Sequence, residues 1–313
     1  MTHNPRVALV FPGQGAQFVG MGRDICRTFP VARAIFDLAD EVLGFALSHL
    51  CFEGPEDELR ETVNAQPAIL TLSLALLGAI QHSPRPITAE LAAGHSLGEY
   101  SALAATKALS VADAVSLARR RGELMQQAGK KNPGAMSAVI GLDRLALDDI
   151  CQETGVFIAS FNSPDQTVIS GCTPDVKNAE RLAKERGARK VTPLQVSGAF
   201  HTPFMAQTAE ELAAAIDEVT WANPCLPVIG NTTAAPLSST DAVKNELTRQ
   251  LTHPIRWQES IETMTAKGVD TFVEIGPGRI LSGLIKRINP AARTVCLGDS
   301  VAVNKYLAEG LAS

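Results

Sequence analysis

The sequence predicts an α/β fold in two parts: a large unit with a mostly parallel sheet covered by helices, and a small ferredoxin-like α+β lobe inserted into it. The first observation behind this is that strand-like and helix-like segments alternate from Arg6 onward. The second is a change of texture to a β-α-β-β-α-β order between residues 132 and 196. The third is the run Gly94-His95-Ser96-Leu97-Gly98, which follows a candidate strand and opens a candidate helix. The large unit is therefore expected at 1–131 and 197–313, and the small lobe at 132–196.

In chain order, RVALVF (Arg6 to Phe11) reads as a strand that ends at a glycine turn, followed by a long helical region from Phe29 to Leu50. A buried helix is expected from Pro67, with the proline in its first turn. The segment AELAAG stops at Gly94, and helical patterns resume after Ser96 and after Ser110. In the small lobe, GAMSAVIGL, VFIASFN, QTVISG and ARKVTPLQV read as strands, and LALDDICQE and PDVKNAERLAKERG as helices. Mixed α/β resumes at His201, with a further strand TFVEIG.

Composition narrows the function classes. The chain has 313 residues, 45% hydrophobic and 19% charged, the profile of a folded globular protein. A net charge of −5 argues against nucleic-acid binding, which needs a broad basic surface. The six cysteines have no CxxC spacing, which fits reduced thiols in a cytoplasmic protein and predicts no metal site. The N-terminus lacks a signal-peptide pattern, and the apolar segment Ala68 to Ile80 is shorter than the roughly 18 to 20 residues of a membrane span. No membrane association is expected, and no segment reads as a dimer element, so a monomer is expected.

Gly-x-Ser-x-Gly between a strand and a helix is the pattern of a nucleophile elbow in a hydrolase-like core, which projects the serine oxygen at a helix N-terminus. The backbone N–H of Leu97, just after the serine, could then stabilise an oxyanion. An ordinary helix-capping serine has the same local sequence, so Ser96 needs a base. His95 is adjacent and should point elsewhere. His3 and His82 fall in surface segments and His49 in a helix. His201, in a glycine-containing loop between a strand and a helix, leads His253.

After Ser110, at about 100 degrees per residue, Ala114, Leu117, Ala118 and Met125 share one helix face, and Arg121 falls in the middle of it, while Arg119, Arg120 and Glu123 point away. A guanidinium on a buried face needs an anion. Either a buried carboxylate such as Glu274 or the carboxylate of a bound ligand would serve. In FPGQGAQ, Phe18 stands where a dinucleotide fingerprint needs its third glycine, so that motif fails. The loop can instead lend the N–H of Gln14 to an oxyanion hole.

The motifs FPGQGAQ, QPAIL, GHSLGEYSAL, RRRGELMQ, FNSPDQTVISG, VSGAFHTPFM, RQLTHPIRW and EIGPGRIL stand in the order expected of malonyl-CoA:acyl carrier protein transacylases. From Val7 to Leu297 the chain resembles that family; DSVAVNKYLAEGLAS lies outside the resemblance. The resemblance implies Ser96 as the acyl-accepting serine, His201 as base and then acid, and the main-chain carbonyl of Gln250 as the group orienting the histidine. It implies an oxyanion hole from Gln14 and Leu97 and a malonyl-carboxylate partner in Arg121. Gln66, Met125 and Asn162 would line the cleft, and Leu97 and Phe200 match the malonyl-selective pattern. Malonyl-CoA would be the donor and the phosphopantetheine thiol of acyl carrier protein the acceptor, with neither metal nor redox cofactor. The carrier could serve fatty-acid synthesis, the commonest setting, polyketide synthesis or malonate decarboxylation. The basic run Arg181 to Lys190 is a candidate docking surface for an acidic carrier, though a solvated helix end would look the same. An esterase or thioesterase would share Ser96 and His201 but have no use for Arg121, and a non-catalytic assembly subunit would have lost one of the three.

Overall fold

The computed structural model describes residues 5–196 and 198–311; His3, and Ser197 at the expected return from the small lobe, lie outside them. The strands are β1 (Val7–Phe11), β2 (Leu91–Gly94), β3 (Gly134–Ile140), β4 (Phe157–Ser163), β5 (Gln166–Cys172), β6 (Lys190–Pro193), β7 (Val228–Ile229), β8 (Pro236–Leu237), β9 (Thr271–Ile275) and β10 (Arg293–Leu297). They form a six-stranded sheet in the order β10-β9-β1-β2-β7-β8 and a separate four-stranded sheet in the order β4-β5-β3-β6.

In the larger sheet every pairing is parallel except that of β7 with β8. Every residue of β1, β2 and β9 is buried, as expected for parallel strands covered on both faces. Phe11 is in register with Gly94, so β1 and β2 end level. The loops after β1, β2, β7 and β9 therefore emerge side by side at the carboxyl edge, where open α/β sheets form their ligand crevices.

The four-stranded sheet is antiparallel throughout and, counted within its own unit, runs 2-3-1-4, the order made by two interleaved β-α-β units. Strand alternation divides its faces. Val139 and Ile169 pack with Leu147, Ile150, Val176 and Ala179 under helices Arg144–Thr154 and Thr173–Glu185. Met136, Ala138 and Val168 turn to the opposite face and join the main core. Edge strand β4 is tied to the large unit at Ile255, which donates its N–H to the Ala159 carbonyl at 2.9 Å and accepts from the Phe161 N–H at 2.9 Å.

Two local expectations change. The helical region at 29–50 is two helices, Pro30–Leu43 and Leu47–Glu53, because Gly44 adopts φ 71° and caps the first. The apolar helix starts at Thr62 rather than at Pro67, so the proline lies inside Thr62–Gln81. A proline there cannot donate to the carbonyl four residues back, and the freed Val63 oxygen accepts from Arg119 Nη1 at 3.3 Å. Arg119 is accordingly half-buried; it also donates to Asn64 Oδ1 at 2.8 Å and to Glu123 at 2.9 Å, more than a solvated charge would. The Thr62–Gln81 helix is long and apolar enough to pass for a membrane span, but 94% of its most apolar window is buried inside the protein. The C-terminal segment outside the family motifs forms helix Ser300–Glu309, with Val303 and Tyr306 in the main core.

Candidate active site

Ser96 occupies the turn between β2 and helix Gly98–Ala105 with φ 52°, a left-handed conformation that costs a non-glycine residue about 1–2 kcal/mol. The flanking glycines are needed for space. A Cβ on Gly94 would stand 1.9 Å from the Gly98 carbonyl group, and one on Gly98 2.0 Å from the Phe11 oxygen. The strain sits on the serine itself, and His201 shares it with φ 59°.

Ser96 Oγ lies 2.9 Å from His201 Nε2, and His201 Nδ1 lies 2.8 Å from the main-chain oxygen of Gln250. A carbonyl only accepts, so Nδ1 carries the proton and Nε2 faces the serine as an acceptor. Burial, reinforced by the Arg121 charge, pushes the His201 imidazole down to about 3, which keeps it neutral at physiological pH. His253 is remote from this group, its Nδ1 3.0 Å from the Arg249 carbonyl oxygen.

Arg121, 1% exposed, reaches the same point from helix Val111–Lys131. Its Nη2 donates to Ser96 Oγ at 3.0 Å and to Gln250 Oε1 at 2.8 Å, and its Nη1 donates to Gln66 Oε1 at 2.8 Å. Its Nε has no hydrogen-bond partner. The alternative pairing with Glu274 does not form: that carboxylate accepts from the N–H groups of Leu281 and Ser282 at 3.0 and 2.8 Å, capping helix Ile280–Ile288. Arg121 is thus a buried cation held by neutral amides and a hydroxyl, with donor capacity to spare.

The site opens into a cavity of 310 Å³ between the two sheets. Gln14, Ser96, Arg121, Met125, Asn162, Phe200 and His201 line it. Gln66, Leu97 and Gln250 stand behind that wall, the Leu97 side chain in the main core. Gln14 is anchored by its Nε2, which donates to Thr62 Oγ1 at 3.1 Å. His95 points across the cleft, with Nε2 2.8 Å from Asn162 Oδ1, and so is turned away from the serine. The basic run carries carboxylate partners: Arg181 pairs with Glu185, Arg186 with Glu153 and Arg189 with Asp165.

Residue reasoning missed the layer beneath the serine. Asn231 Nδ2 donates to the Gly94 carbonyl at 2.7 Å, its Oδ1 accepts from the Ser96 N–H at 2.7 Å, and its own N–H donates to Glu99 Oε1 at 2.9 Å. Gln250 Nε2 donates to the Ser96 carbonyl at 3.0 Å and to Glu99 Oε2. Burial, with Glu246 nearby, pushes the Glu99 carboxyl well above the usual carboxylate range. An acidic residue in the otherwise uncharged LGEYSALAA was the one local signal available. Asn231 offered none, its partner being 135 positions away.

Residues 8–292 match the family described as the acyl transferase domain. The malonyl CoA-acyl carrier protein transacylase of Bacillus subtilis is 46% identical over 299 residues, covering 94% of each chain. The solved structure of the malonyl CoA-acyl carrier protein transacylase from Coxiella burnetii superposes with a TM-score of 0.94 at 35% identity, covering 99% of both chains. A malonyl-transacylase solved in complex with its type II PKS acyl-carrier protein superposes with a TM-score of 0.92 at 39% identity, covering 97% of this chain and 99% of that one. On its sequence, its two sheets and its near full-length overlap with these proteins, the chain belongs to the malonyl CoA-acyl carrier protein transacylase family.

Proposed function

We propose that the protein moves a malonyl group from CoA, through an acyl-serine on Ser96, to the phosphopantetheine thiol of acyl carrier protein in fatty-acid or polyketide synthesis. The observation that carries this reading is Arg121: a buried guanidinium within 3.0 Å of the Ser96 hydroxyl, with no carboxylate hydrogen-bonded to it. A malonyl carboxylate entering the cavity would displace the Ser96 hydroxyl from Nη2 and receive two charge-assisted hydrogen bonds from one edge of the guanidinium.

In the first half-reaction the Ser96 proton passes to His201 Nε2 as Oγ bonds to the thioester carbon. The tetrahedral oxyanion rests on the N–H groups of Gln14 and Leu97. The Ser96 N–H is committed to Asn231 and is not a member of that hole. The C–S bond breaks and CoA leaves as the thiol, taking the proton from His201. The carrier thiol then gives its proton to His201 and attacks the acyl-serine; the C–O bond breaks and Oγ recovers the proton. The Gln250 carbonyl orients the imidazole through Nδ1, where a triad would use a carboxylate. Met125, Asn162 and Phe200 shape the cavity around the acyl group, and Gln66 braces Arg121 from behind. The small lobe, taken as 132–196, supplies the opposite wall through Met136, Ala138 and Val168. Six unpaired cysteines suit a reducing, cytoplasmic setting.

Intact-protein mass after brief exposure to malonyl-CoA tests the reading. A malonyl adduct that is absent from Ser96→Ala and leaves when holo carrier protein is added is the expected result. CoA release with no adduct at any time would make water the acceptor and the protein a thioesterase.

A further inference from the structure

We propose that Asn231 is a positioning residue for this reaction: its side-chain amide clamps the Ser96 turn in the left-handed conformation that aims the hydroxyl at His201. The inference rests on Ser96 being the acyl-accepting group.

Asn231 lies one residue beyond β7, after Gly230, and β7 pairs with β2, so the asparagine emerges beside the serine turn. It is fully buried and takes no part in lining the cavity. Both ends of its amide are spent on the turn, at 2.7 Å to the Gly94 oxygen and 2.7 Å from the Ser96 nitrogen. The assignment of oxygen and nitrogen is forced, because a backbone N–H can only donate and a carbonyl can only accept. The Ser96 carbonyl is held in turn by Gln250 Nε2 at 3.0 Å. The two flanking peptide groups of Ser96 are therefore gripped from two separate segments, the turn after β7 and the C-terminal end of helix Thr240–Gln250. Glu99, accepting from the Asn231 N–H and from Gln250 Nε2, ties those segments together.

A serine at φ 52° relaxes toward negative φ when released. That rotation would carry Oγ away from His201 Nε2 and Arg121 Nη2. Removing the amide should then slow bond formation and leave acyl binding intact, since Arg121 keeps its holds on Gln66 and Gln250.

The test uses Asn231→Ser and Asn231→Asp in the full chain. The aspartate keeps the size but sets an oxygen against the Gly94 carbonyl. Single-turnover acylation by malonyl-CoA is followed by quenched intact mass, and malonyl-CoA affinity is measured by calorimetry on Ser96→Ala with and without each change. Acylation about a hundredfold slower in both variants, with affinity held within about twofold, is the expected result. Acylation at the wild-type rate in a folded variant overturns the proposal. So does an affinity loss that matches the rate loss, because the site as a whole has then loosened. Should the serine variant fail to fold, the aspartate variant decides alone on the same criteria. Absence of an adduct on the wild-type chain overturns the acyl-serine reading itself, whereas wild-type labelling equalled by the variants overturns this proposal alone.

Discussion

Replacing Arg121 with alanine should separate malonyl transfer from acetyl transfer. In the structure the guanidinium has two donors engaged with Gln66 and Gln250 and one on the serine oxygen, and Nε has no partner. A malonyl carboxylate that replaced the serine contact would receive two charge-assisted hydrogen bonds, each worth about 1.5–3 kcal/mol. Deleting one member of a buried charge pair costs about 3–5 kcal/mol, because the other charge is stranded. Taking the lower part of that range, about 3–4 kcal/mol, acylation by malonyl-CoA should fall roughly 100- to 1000-fold at about 1.4 kcal/mol per tenfold. Acetyl-CoA brings no carboxylate, so its slow acylation loses only the Arg121 contact to Ser96 Oγ, an effect of about tenfold or less. The assay is the single-turnover rate of adduct formation for both donors, read by intact mass on wild type and Arg121→Ala. Equal fold-losses with the two donors would refute the carboxylate role and leave Arg121 as a brace for Gln250 and the serine.

The depressed His201 imidazole fixes the pH behaviour. With the folded group titrating at about 3 and the unfolded one near 6.5, only the unfolded chain takes up that proton between those values. Its contribution to stability is therefore full above pH 6.5 and is lost as pH falls toward 3, at up to about 1.4 kcal/mol per pH unit, and the slope should be shallower in His201→Gln. Acylation should likewise stay level between pH 7 and 5, where an ordinary histidine would lose about 25-fold; an acid limb centred near 6.5 would contradict the burial argument. Gly98→Ala places a Cβ 2.0 Å from the Phe11 oxygen and should cost about 3 kcal/mol in denaturant unfolding, so a loss under about 1 kcal/mol would mean the turn yields. Gln66→Leu leaves Arg121 Nη1 without its acceptor and should slow malonyl acylation about tenfold with acetyl acylation little changed; parallel losses would argue against a brace on Arg121.

The sequence by itself determined what local pattern can encode. A glycine needed for close approach leaves its mark at its own position, so the Gly94–Gly98 turn was legible. An arginine at the centre of an apolar stripe declares its burial through the 3.6-residue period, so Arg121 was legible too, though the choice between Glu274 and a ligand was not. The β-α-β-β-α-β order was readable because each of its elements has its own period. Tertiary structure decided which groups meet. Glu274 turned out to be a helix cap, Pro67 lies inside a helix because Arg119 takes the freed carbonyl, and His201 is oriented by a main-chain oxygen, an atom that every residue carries and that no residue type signals. Asn231 and Glu99 belong to the same class: their partners are set by strand order in the sheet, which places the end of β7 beside the end of β2 across more than a hundred residues of chain. Hydrogen-bond complementarity at that distance has no period and no spacing, and only the folded backbone makes it visible.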